Sequence, residues 1–148
     1  NFDHAFVEEV ISRLRRLKPD AQPAWGTLTA PEMVRHLIGI LRYTTGRDGR
    51  GVFVGNWFTT NVLGKLAVRG WLPIPKNLRF QWSSGDTRAI QAPGDVETLH
   101  ATMLDYLNLV QTGELQTEPH PLFGDIGVDG WAAVHVRHFE HHLRQFRL

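Results

Sequence analysis

The sequence predicts an all-α protein built as a bundle of four long helices, and three observations carry that expectation. Four stretches repeat apolar residues at helical spacing. None shows the sustained apolar and polar alternation of a strand, and Gly and Pro gather between the stretches. In residues 3–18, Phe6, Val10, Leu14 and Leu17 form one apolar stripe with Glu8, Glu9, Arg13 and Arg16 between them, and Pro19 stops the pattern. The second helix has the clearest start. Thr29-Ala-Pro-Glu32 joins an N-cap Thr, an early Pro and a Glu three residues after the cap, which is a capping box, and a helix follows over 30–43. Its apolar face is Met33, Leu37, Ile40 and Leu41, with His36 at the edge.

The run from Gly46 to Gly51 reads as a loop, and 56–68 as a shorter extra helix interrupted by Gly64. Residues 70–94 hold Pro73, Pro75, Gly85 and Pro93, too many breakers for a helix interior, so they read as a long ordered connection. Its Trp71, Leu72, Ile74, Phe80 and Trp82 are expected to pad the bundle, in preference to forming a lid. Helical spacing resumes over 95–110 through Val96, Leu99, Met103, Tyr106, Leu107 and Val110, and Gly113 ends it. A second connection, containing His120-Pro-Leu-Phe-Gly124, leads to the last helix over 128–146. Residues 1–148 are expected to form a single domain, since 148 residues suffice to bury a core without staples.

Composition narrows the chemistry. There is no Cys, which excludes disulfides, thiolate nucleophiles, Cys-based zinc sites and iron–sulfur clusters, so a metal would rest on His, Asp or Glu. The formal charge is +1, with Lys and Arg spread along the chain, so nucleic acid is not the expected partner. No apolar run reaches the roughly 18 to 20 residues of a membrane span, and the first residues lack a signal pattern. A cytoplasmic protein with a small-molecule substrate and no membrane partner is the expectation. The glycines of 46–55 match no phosphate-binding pattern.

Four of the 8 histidines lie at His135, His138, His141 and His142. His138 and His142 are four apart, so on a helix they stack on one face within reach of one ion. At about 100° per residue, Trp131, Val134, His135, His138, His142 and Phe146 share one sector, and His141 falls toward its border. An imidazole there is flanked by apolar groups and is expected to be neutral and partnered. His36 is far away in sequence and lies beside the apolar face of another helix, as bundle ligands do. The competing reading makes all of these core histidines bonded to carbonyls. His135 and His141 also stay open as ligands if the facing is different. His120 is read as a turn residue, and His4 and His100 as surface or packing residues. Glu140 lies opposite His138 and His142 and is read as a solvated charge, and Gln145 as a helix-end polar residue in preference to a partner of a ligand.

The run His138-Phe-Glu-His141-His142-Leu-Arg-Gln145 resembles the last-helix signature of the DinB/YfiT-like metalloenzyme superfamily, in which two His four apart precede a Gln three residues on. The segment from Trp25 through Thr29-Ala-Pro-Glu-Met33 to His36 is similar to that superfamily as well. The resemblance implies an up-and-down four-helix bundle with a metal held by one His of the second helix and two of the last, which map onto His36, His138 and His142. It also implies metal-dependent hydrolysis or thiol-dependent transfer or isomerisation, without fixing which. Zn and Ni both suit imidazole ligands, and an ion with open positions acidifies a bound water or thiol. With no Cys in the chain, a thiol would come from a low-molecular-weight cofactor. No carboxylate stands out as a general base. The alternative is a non-catalytic bundle, with structural or metal-stabilised histidines, acting as a homodimeric module.

Overall fold

The computed structural model describes residues 1–47, 53–71 and 95–148. Among these the chain is all-helical, with five α-helices, one π-helical turn and no strand. The loop expected after Gly46 lies largely outside the described residues, as do Leu72, Ile74, Phe80 and Trp82 of the expected padding.

Helix α1 spans His4–Leu14, and its Asp3 cap accepts a hydrogen bond from Phe6 N at 2.9 Å. Its stripe buries Val7, Val10, Ile11 and Leu14. The helix ends earlier than the apolar spacing predicts, because Arg16 N and Leu17 N bond three residues back, to Arg13 and Leu14 carbonyls, and tighten the chain into a turn. Helix α2 spans Ala30–Thr44 and carries the predicted capping box. Thr29 N donates to Glu32 Oε2 at 2.8 Å while Glu32 N donates to Thr29 Oγ1 at 3.4 Å.

The expected short helix is present in a modified form. The π-helical turn Thr59–Leu63 runs into α3, Gly64–Val68. Asn56 Oδ1 accepts from both Phe58 N and Thr59 N at 3.0 Å and so caps the helical residues that begin at Trp57 and lead into the π turn. Gly64 is a close contact point rather than a break, since a Cβ there would lie 3.1 Å from Phe123 Cβ. Trp71, expected to pad the core, is instead 72% exposed, and Phe53, Val54, Trp57 and Phe58 are exposed too. Helix α4, Val96–Thr112, starts on the Asp95 cap and stops at Gly113, whose φ of 72° suits glycine. Helix α5, Gly127–Gln145, buries Trp131, His135, Phe139, His142, Leu143 and Gln145.

Helices α1 and α2 each pack against both α4 and α5, and α3 packs on α5. One core cluster draws Val7, Val10, Ile11 and Leu14 from α1, Met33, Leu37 and Leu41 from α2, Leu99, Met103 and Tyr106 from α4, and Phe139 and Leu143 from α5. Truncating one such Leu to Ala costs about 2–5 kcal/mol, so the α2–α5 contact is firmly held. The connections are stitched to it. Glu118 N donates to Thr44 O, Trp131 Nε1 donates to Glu118 O at 2.8 Å, and Tyr43 hydroxyl donates to Pro119 O at 2.7 Å. At the other end Ala24 N donates to Gln145 O at 2.7 Å.

Candidate metal centre

Three histidines meet where α2 faces α5. His36 comes from the middle of α2, and His138 and His142 from successive turns of α5, with His142 buried and the other two half-buried. His36 Nε2 lies 2.9 Å from His138 Nε2, which lies 3.0 Å from His142 Nε2. One ring nitrogen from each lies within 4.8 Å of the other two. An ion bonded tetrahedrally at about 2.0–2.1 Å sets its ligand nitrogens about 3.3 Å apart, a few tenths of an ångström beyond the shorter separations here.

Protonation tightens the argument. Burial, then the field of His141, pushes His36 down to about 4. Burial, then His36, pushes His142 down to about 3 against the raising effect of its bond to Gln145. His138 lies well below the ordinary value, through burial first and then its histidine neighbours. All three are neutral at pH 7. The network also assigns the tautomer of His142. Gln145 Nε2 donates to Trp25 O at 2.7 Å, so its Oε1, 2.8 Å from His142 Nδ1, accepts the Nδ1 proton. His142 Nε2 therefore presents a lone pair. His138 Nε2 sits between that lone pair and His36 Nε2, and no assignment of protons gives both contacts a well-aligned hydrogen bond. A cation at the centre satisfies all three lone pairs at once, so the donor set fits a metal. The Nδ1 of His138 is buried without a hydrogen-bond partner among the described residues.

The two other candidates on α5 are not brought into this set. His135 is fully buried, and its Nε2 lies 3.1 Å from Thr44 Oγ1. That hydroxyl gives its proton to Ile40 O at 2.9 Å, so it accepts from His135 Nε2–H. The ring also stacks on Trp131 at 5.3 Å. His141 stands edge-on to both Trp25, at 5.5 Å, and His142, at 5.3 Å, and so borders the triad.

Other sequence readings divide. His120 is a turn residue as expected, its Nδ1 accepting from Leu122 N and Phe123 N at 3.2 Å. His4 is exposed, and His100 pairs with Glu8 at 3.1 Å. Glu140 is not merely solvated, because Arg13 of α1 reaches across to it at 3.1 Å. Gln145, the last residue of α5, is 4% exposed and bonded to His142, so it is more than a helix-end polar residue. Its spacing of three from His142 was the available signal. Its second partner, Trp25, is 120 residues away and left none.

A family model described as "Protein of unknown function (DUF1569)" matches residues 2–148, and the chain belongs to that family. Neither the curated proteins nor the solved structures compared with the chain give a match.

Proposed function

We propose that His36, His138 and His142 hold one divalent metal ion and that the protein is a metal-dependent enzyme of DinB-like architecture, with α1, α2, α4 and α5 as its four-helix bundle. The observation that carries this reading is the convergence of three Nε2 atoms, that of His36 from α2 and those of His138 and His142 from α5, across at least 102 positions of chain. Three neutral imidazoles suit Zn or Ni. When bound, such a centre supplies an open coordination position and enough charge to bring the pKa of a coordinated water to about 7. Gln145, bonded to His142 Nδ1, fixes the orientation of that ligand. Hydrolysis and transfer from a low-molecular-weight thiol are the reaction classes this donor set supports, in a cytoplasmic setting. Among the described residues no helix is long and apolar enough to cross a membrane.

The test is metal content by plasma mass spectrometry on tag-free protein purified without chelator, beside the His138→Ala/His142→Ala double variant. Near-stoichiometric Zn or Ni in the parent and its loss in the variant are expected. Absence of metal in both, with failed reconstitution, overturns the proposal.

A second reading, a homodimeric module with a stabilising metal, is favoured by one observation. Phe53, Val54, Trp57, Phe58 and Trp71, all exposed, come from one stretch of 19 residues, 53–71. Sedimentation of the parent and of Trp57→Ser/Trp71→Ser decides it, since a dimer that dissociates in the variant is required.

A further inference from the structure

We infer that Gln145 is the positioning residue of the triad, and that through it ion binding is coupled to the ordering of the connection between α1 and α2. The inference rests on the metal reading above.

Gln145 lies in the last turn of α5 with its amide withdrawn from solvent, and burying an amide is costly unless its hydrogen bonds are made. The two ends of this amide do different things. Oε1 takes the Nδ1 proton of His142 at 2.8 Å, and Nε2 gives a proton to the Trp25 carbonyl at 2.7 Å. A flipped amide would set oxygen against the Trp25 carbonyl oxygen and an N–H against the Nδ1 proton. The carbonyl thus fixes the amide, and the amide fixes the imidazole with its Nε2 lone pair toward His138.

The chain of dependence runs backward as well. An ion on His142 Nε2 requires the proton on Nδ1, which requires an acceptor oxygen there, which turns the Gln145 amino group to Trp25. The neighbouring Ala24 N is already tied to the Gln145 carbonyl at 2.7 Å. The same connection ends at Thr29, the cap of α2, the helix that carries His36. Residues 24–29 therefore touch both ligand-bearing helices, and Gln145 is the side chain that joins them to the ligands.

Two substitutions separate the two ends of the amide. Gln145→Leu removes both bonds. Gln145→Glu keeps an acceptor for Nδ1–H but faces the Trp25 carbonyl with a carboxylate oxygen. Zn²⁺ affinity, measured by competition with a chromophoric chelator, is expected to fall about 10–100-fold in Gln145→Leu and to hold within a few-fold in Gln145→Glu. Hydrogen exchange over residues 21–28 is expected to slow when Zn²⁺ is added to the parent and not when it is added to Gln145→Glu. Equal affinity in parent and Gln145→Leu, or equal slowing in parent and Gln145→Glu, overturns the inference. A parent that binds no Zn²⁺ overturns the metal reading instead. Long-range ¹H–¹⁵N spectra then decide on Gln145 alone: His142 held as the Nδ1–H tautomer in the parent and mixed in Gln145→Leu supports its positioning role, and identical tautomers in both overturn it.

Discussion

Replacing His138 by Leu should make the metal-free protein more stable and the zinc-loaded protein relatively less so. The two side chains are of similar volume, so the exchange opens no large cavity. In the metal-free parent, His138 Nδ1 has no partner among the described residues and Nε2 faces two other ring nitrogens at 2.9 and 3.0 Å. An unsatisfied buried polar group costs about 1–3 kcal/mol; Leu removes that cost at His138 Nδ1 but also takes away the one hydrogen bond its Nε2–H can give His142, worth about 1 kcal/mol, so the net gain is about 0–2 kcal/mol. At about 4 °C per kcal/mol for a chain of this size, the melting temperature in chelator should rise by roughly 0 to 8 °C. Zinc at 100 times its Kd should then stabilise the parent by about 2.7 kcal/mol and the variant by little. The assay is paired thermal melts, with chelator and with Zn²⁺, for both proteins. The order of stability should narrow or reverse when zinc replaces chelator. An equal zinc-induced shift in both, or a metal-free variant less stable than the metal-free parent by more than about 1 kcal/mol, refutes the argument.

Three further predictions concern the packing beside the triad. Thr44→Val should cost about 1–3 kcal/mol, because His135 Nε2–H loses its acceptor in a fully buried site; urea melts check this, and metal content should not change. Tyr106→Phe should be neutral or stabilising by about 1 kcal/mol, since the hydroxyl is buried with no hydrogen-bond partner among the described residues; a loss above that size in the same melts contradicts it. Burial holds His120 and His135 at about 4 and about 3, below the ordinary 6.5, so the unfolded chain binds the extra protons. Their contribution is therefore complete above pH 6.5. It is lost by roughly 1.4 kcal/mol per group per pH unit as pH falls toward 4, and a stability that stays flat between pH 7 and 5 contradicts it.

What the sequence made legible follows from the range of each interaction. The start of α2 was readable because a capping box is closed within four residues, Thr29 to Glu32. The His138 and His142 pair was readable because a helix brings positions four apart together regardless of the rest of the fold. His36 was a candidate only by its place beside an apolar face, and its approach to His138 depends on how α2 packs on α5. Gln145, His135 and Glu140 were misjudged or left open because their partners, Trp25, Thr44 and Arg13, are supplied by other helices or connections. The early end of α1 escaped because Leu17 keeps the apolar spacing while its amide already bonds three residues back. Trp71 shows the limit of composition: its hydrophobicity predicts burial, yet it stands in solvent.

The ligands are divided unequally, two on one helix and one on another. Either α5 ligand can approach an ion as soon as that helix forms, but His36 is separated from His138 by 102 positions. An ion bound to all three would thus be a reversible staple closing a very long chain loop, as a disulfide does in a protein with cysteines. For a closed loop of about 100 residues, the corresponding loss of entropy from the unfolded chain is worth about 4.7 kcal/mol in the chain-entropy model. Two-point capture by α5 alone would be weak. The third contact would therefore register whether α2 has docked, making the grip on the ion a gauge of the native topology.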